Sequence, residues 1–90
     1  MSHFGTQRYA NISRTKLDAL MAELIAHGSH ITGNNPWLID TKEHGVHLKG
    51  EWDVETLTLA ITVTGAHWYV TRRALWEKID SLMGHFRDRA

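Results

Sequence analysis

Histidine is the most abundant side chain here that could do acid–base or metal chemistry, with seven in 90 residues. Four of the seven form two His-x-x-His pairs, His27-Gly28-Ser29-His30 and His44-Gly45-Val46-His47. Two imidazoles at that spacing can present nitrogens to one metal ion. Zinc, however, takes four ligands, or three and a water, usually with thiolate or carboxylate help. Each pair also straddles a glycine-containing turn, so no helix would hold the two rings in register. The expectation is solvated histidines: His27 placed favourably near a helix C-terminus when protonated, His47 on a polar strand face. No metal ligand and no cofactor is assigned.

Tryptophan is the second excess, with four residues. Large aromatics fill a small core efficiently, and the pattern around Trp52 and Trp76 places both inside. Trp37 and Trp68 stand beside turns and are expected to be half exposed, where such rings anchor interfaces. A third feature runs against a local rule. Arg72 and Arg73 directly follow Thr71, the expected N-cap of the last helix, where the macrodipole favours acids over cations. Free amides at that helix start, two guanidinium groups and the neighbouring Trp68 and Tyr69 resemble an anion-binding corner. The competing expectation is that the arginines are solvated or paired, for example with Glu77. Trp37, Trp68, Tyr69, Arg72 and Arg73 are therefore the candidate binding surface.

Catalytic chemistry finds less support. Ser13, Ser29 and Ser81 lie in no Gly-x-Ser-x-Gly elbow, and no phosphate-cradling glycine loop or dinucleotide fingerprint occurs. Asp40, Glu43, Glu51, Asp53 and Glu55 cluster near turns, as solvated acids do. The chain has no cysteine, which excludes disulfides, thiolate metal ligands and thiol nucleophiles. No catalytic residue is assigned, and the chain is expected not to be an enzyme.

Ten basic residues balance ten acidic ones. Nucleic-acid binding normally rests on a cationic excess, so a protein partner or a second copy of the chain is expected first, with nucleic acid second. Neither a signal sequence nor an apolar run long enough for a bilayer is visible. A cytoplasmic domain without membrane association is the expectation.

The elements that must carry these residues follow from periodicity. Residues 1–12 are polar and aperiodic and read as a flexible arm. Thr15-Lys16-Leu17-Asp18 fits a capping box. Leu17, Leu20, Met21, Leu24 and Ile25 then recur at helical spacing, with Gly28 placed to close the helix. Residues 29–36 are rich in turn formers, and Trp37-Leu38-Ile39-Asp40 reads as a short strand or an extended arm. Gly45 stands ready for a positive-φ turn. Val46, Leu48, Gly50 and Trp52 alternate with polar residues, as do Leu57, Leu59, Ile61 and Val63, so a sheet has one apolar face. Leu75, Trp76, Ile79, Leu82 and Met83 form a second helix, with Phe86 a continuation. The expected fold is two-layer α+β: helix, three-stranded antiparallel meander, helix (αβββα), both helices on one face. Residues 13–86 form a single domain, and 87–90 a short tail.

That order of elements is shared with double-stranded-RNA-binding domains. The corresponding helix start, Thr71-Arg72-Arg73-Ala74, carries two arginines and lacks a lysine cluster, and no family is assigned on the order alone. The overall expectation is a non-catalytic interaction module.

Overall fold

A computed structural model describes residues 4–84 of the chain. Two helices cover one face of a five-stranded antiparallel sheet. In chain order the elements are β1 (Thr6–Tyr9), α1 (Arg14–Ala26), β2 (His30–Gly33), β3 (Trp37–Asp40), β4 (His47–Asp53), β5 (Thr58–Gly65) and α2 (Arg72–Gly84). The strand order across the sheet is β1-β5-β4-β3-β2. The meander from β2 to β5 is thus extended at one edge by a strand from the N-terminal segment. Phe86 and the tail at 87–90 lie outside the described residues.

The expected α+β class stands, and the strand count is corrected from three to five. Two segments account for the difference. Residues read as an arm supply β1, whose Tyr9 pairs with Leu59 and whose Gln7 pairs with Ile61. Ile12, just beyond, is wholly buried. Four residues are too few for an alternation to be recognised, and the pairing with β5 decides the conformation. The turn formers at 29–36 hide β2 in the same way. Its residues His30 and Ile31 face Asp40 and Ile39, and Asn35 in the turn after it grips β4. The Asn35 side chain donates to the Trp52 carbonyl and accepts from the Trp52 amide, both at 2.9 Å.

Helix α1 starts at a different cap from the one expected. Ser13 is the N-cap and accepts from the Lys16 amide at 3.3 Å, which places Thr15 inside the first turn. Its other end closes as the sequence indicates. Gly28 takes φ +98°, its amide reaches the Ile25 carbonyl, and the Ser29 amide reaches Leu24. Those two bonds are a Schellman closure, for which a left-handed glycine suits best. Leu17 and Leu20 are buried, Met21 and Leu24 pack partly, and Ile25 faces solvent.

Strands β4 and β5 pair from Asp53 with Thr58 to His47 with Gly65, with a register irregularity between His47 and Leu48. Leu48, Leu59, Ile61 and Val63 all point into one core with Leu17 and Leu20 of α1 and Leu75, Trp76, Ile79 and Met83 of α2. A gap of about 30 Å³ lies between the two helices and the sheet. One member of the alternation departs from it. Leu57 lies in the β4–β5 turn with φ +53° and is 39% exposed. The turn needs a left-handed residue there, so local geometry overrides the two-residue rhythm.

The N-terminal segment is tied to the rest of the fold by part-buried hydrogen bonds from aromatic side chains. The Tyr9 hydroxyl donates to Asp80 of α2 at 2.5 Å. Trp52 and Trp76 donate their indole N–H groups to the carbonyls of Ile12 (2.8 Å) and Phe4 (2.7 Å). Each ring buries apolar surface while its one donor is satisfied.

Leu59→Ala is expected to cost about 2–5 kcal/mol in urea unfolding, because this side chain is only 1% exposed at the centre of the core. Leu57→Gly is expected to be neutral or stabilising by up to about 1 kcal/mol, since glycine removes the left-handed strain. A Leu57→Gly loss comparable to that of Leu59→Ala would contradict this account.

Candidate functional site

Antiparallel pairing brings distant histidines to one end of the sheet. His30 opens β2, Asp40 closes β3 and His47 opens β4; the three sit in one cross-strand row. Gly65, at the end of β5, completes that row. His27 caps the C-terminus of α1, three residues before β2. The loops at 41–46 and 66–71 project from the same end and carry His44 and His67. All five described histidines are therefore gathered here, and all five are exposed.

The two loops are joined through Tyr69. His44 Nδ1 and His67 Nδ1 stand 3.1 and 3.0 Å from its hydroxyl oxygen. A phenol has one proton to give, so one imidazole accepts it while the other donates to the oxygen. The His67 amide also donates to the His44 carbonyl at 2.9 Å. Gly45, at φ +66°, lets the His67 ring lie against its backbone, where any Cβ would overlap the ring. Trp68 projects from this support at 94% exposure, its ring perpendicular to Tyr69 with centroids 5.8 Å apart.

Beside this support lies the row on the outer face. His47 Nδ1 is held by the Gly45 carbonyl at 3.0 Å, and its Nε2 is 3.6 Å from Asp40. Asp40 accepts from the Lys42 amide at 3.0 Å and has the Lys42 ammonium 3.4 Å away. The amide bond, foremost, and the Lys42 charge hold this carboxyl below the usual aspartate range. His30, Thr32, Leu38, Asp40 and His47 line an open depression of about 330 Å³ here. No described element covers the outer sheet face.

The sequence-based surface is thus partly assembled. Trp68 and Tyr69 come together, the latter 50% exposed. Trp37 does not join them. It is 8% exposed and faces Gly50 across the apolar side of the sheet; a ring beside a turn is buried because the strand places it inward. Arg73 lies 3.5 Å from Glu77 one turn on, with both side chains exposed, and the Ala74 amide is occupied by the Thr71 hydroxyl at 3.2 Å. Arg72 is exposed in the same first turn, which contains no acid.

The two His-x-x-His pairs are regrouped by the fold. His27 bonds to Glu23 at 2.6 Å, while His44 turns to Tyr69 and His47 to Gly45 and Asp40. Among the described residues no three His, Asp or Glu side chains converge as metal ligands, and no helix is long and apolar enough to cross a membrane. His44, His67 and Asp40 were absent from the sequence-based surface. The one available signal was their spacing from turns on successive strands, which becomes proximity only once the register is known. No family model, curated protein or solved structure matches the chain.

Gly45→Ala is expected to destabilise by about 1–3 kcal/mol and to shift the His67 and Tyr69 ring resonances; unchanged rings would refute the packing described. Asp40 stabilises the fold fully above the ordinary carboxylate range, and that contribution fades as pH falls through its own lower value. Asp40→Asn should therefore lower stability near neutral pH, with the difference from the unaltered chain shrinking below about pH 4. Thermal melts across that range check it.

Proposed function

We propose that the chain is a non-catalytic interaction module that engages a protein partner through Trp68 and Tyr69. The single observation carrying this reading is a fully exposed tryptophan mounted on a hydrogen-bonded His44–Tyr69–His67 support. A large ring exposed to water is an unfavourable way to finish a monomer surface, and the neighbouring Tyr69 is held at its hydroxyl by two imidazoles. Tryptophan and tyrosine are also the side chains that most often dominate binding energy at interfaces. A second copy of the chain is the other occupant of the same surface, and β1 and β2, the outermost strands of the described sheet, are where strand pairing to it would occur.

Trp68→Ala is expected to leave stability within about 0.5 kcal/mol and to weaken partner binding by about 2 kcal/mol or more. The comparison uses cross-linking and affinity capture with both forms, and sedimentation to detect self-association. Partner capture that is equal for the two forms, or a strict monomer that captures nothing, would overturn the reading.

The competing proposal is an anion or nucleic-acid ligand at the start of α2, supported by Arg72 and Arg73 in a first turn that lacks acids. It predicts that inorganic phosphate or a single-stranded oligonucleotide shifts the amide resonances of residues 68–74, with the effect weakened by salt. Untouched resonances would exclude it.

A further inference from the structure

Tyr69 stands between two imidazoles that reach it from different loops. Its hydroxyl oxygen is 3.1 Å from His44 Nδ1 and 3.0 Å from His67 Nδ1. Two nitrogens and one oxygen able to bind a metal are thus grouped at the surface, and all three residues are exposed. The backbone fixes where these side chains start. The His67 amide donates to the His44 carbonyl at 2.9 Å, and the Val70 amide closes a turn onto the His67 carbonyl at 3.0 Å, with Tyr69 inside it. His44 is left-handed at φ +54°, an uncommon conformation for a residue with a side chain. Gly45 beside it leaves the room that the His67 ring fills. Two departures from ordinary backbone therefore serve the approach of two rings to one phenol.

We propose that His44, Tyr69 and His67 form a binding site for one zinc ion, with the two Nδ1 atoms and the phenolate oxygen as ligands and water in the fourth position. The spacing supports it. Zinc bonds of about 2.0–2.1 Å at tetrahedral angles set neighbouring ligand atoms about 3.3–3.4 Å apart. The two N···O edges, at 3.0 and 3.1 Å, need open only slightly to match, and the third edge closes by rotation of the exposed His44 ring. Imidazole selects zinc and its transition-metal neighbours over calcium and magnesium, which take oxygen ligands. The other histidine pairings offer less. His27 with Glu23 and His47 with Asp40 bring two ligand groups each, and Asp40 already holds the Lys42 ammonium at 3.4 Å. Binding forms two Zn–N bonds and one Zn–O bond. The imidazole that donates to the phenol carries its proton on Nε2 instead, and the phenol proton is released to solvent.

The test titrates zinc chloride at neutral pH into the untagged, isotope-labelled full chain. One ion is expected to bind, shifting the imidazole nitrogens of His44 and His67 and the ring of Tyr69 more than the imidazoles of His27, His30 and His47. A tyrosinate difference band should appear in the near-ultraviolet, at a pH where an unligated phenol, with a pKa of about 10, stays protonated. Hydrogen bonding alone does not produce that band. Tyr69→Phe keeps the ring and should abolish the band. That variant and His67→Gln should each weaken zinc binding at least about tenfold. Trp68→Ala should leave zinc affinity unchanged, so the metal site and the docking surface stand or fail separately. Zinc that shifts all five imidazoles alike, saturation without a tyrosinate band, or affinity that survives Tyr69→Phe and His67→Gln unchanged would each overturn the proposal.

Discussion

The pairing of β4 with β5 is the constraint from which most of this molecule follows. Its register, from Asp53 with Thr58 to His47 with Gly65, points Leu48, Leu59, Ile61 and Val63 to the same side. A slip of one residue would send each strand's apolar set to the wet face. The same register decides which loops share an end. It puts the residues before β4 next to those after β5, and the His67 amide reaches the His44 carbonyl across that junction.

Burial of the core then depends on a segment with almost no periodic signal. Strand β1 covers the outer side of β5, and Ile12 becomes one of the most enclosed side chains in the domain. The segment is held through polar contacts at the ends of large rings: Tyr9 to Asp80, Trp52 to Ile12 and Trp76 to Phe4. A 90-residue chain has few layers with which to exclude water. Tryptophan gives it apolar area and a directed donor together, which accounts for two of the four tryptophans. Trp37 adds packing, and Trp68 contributes to neither.

The exposed end is built differently from the core. Its side chains are polar or aromatic, solvent-facing and joined by hydrogen bonds whose donors and acceptors are largely imidazoles. Gly45 is the exception, since its missing side chain creates the space that the His67 ring occupies. Core strands thus carry two loops that are joined to each other through Tyr69.

The sequence by itself determined the class, the long elements and the local closures. Helical spacing over thirteen-residue stretches and alternation over seven or eight residues repeat often enough to be read without a partner. Gly28 and Thr71 act through bonds to near neighbours, so their roles were legible too. Four-residue strands were not, because β1 and β2 draw their conformation from pairing with residues far away in the chain. Trp37 was misplaced for the same reason, since which face a short strand turns inward is set by Gly50 opposite it. Tertiary structure alone decided the site: His30, Asp40 and His47, and His44, Tyr69 and His67, become neighbours through strand register, a non-local quantity that no single stretch of residues encodes.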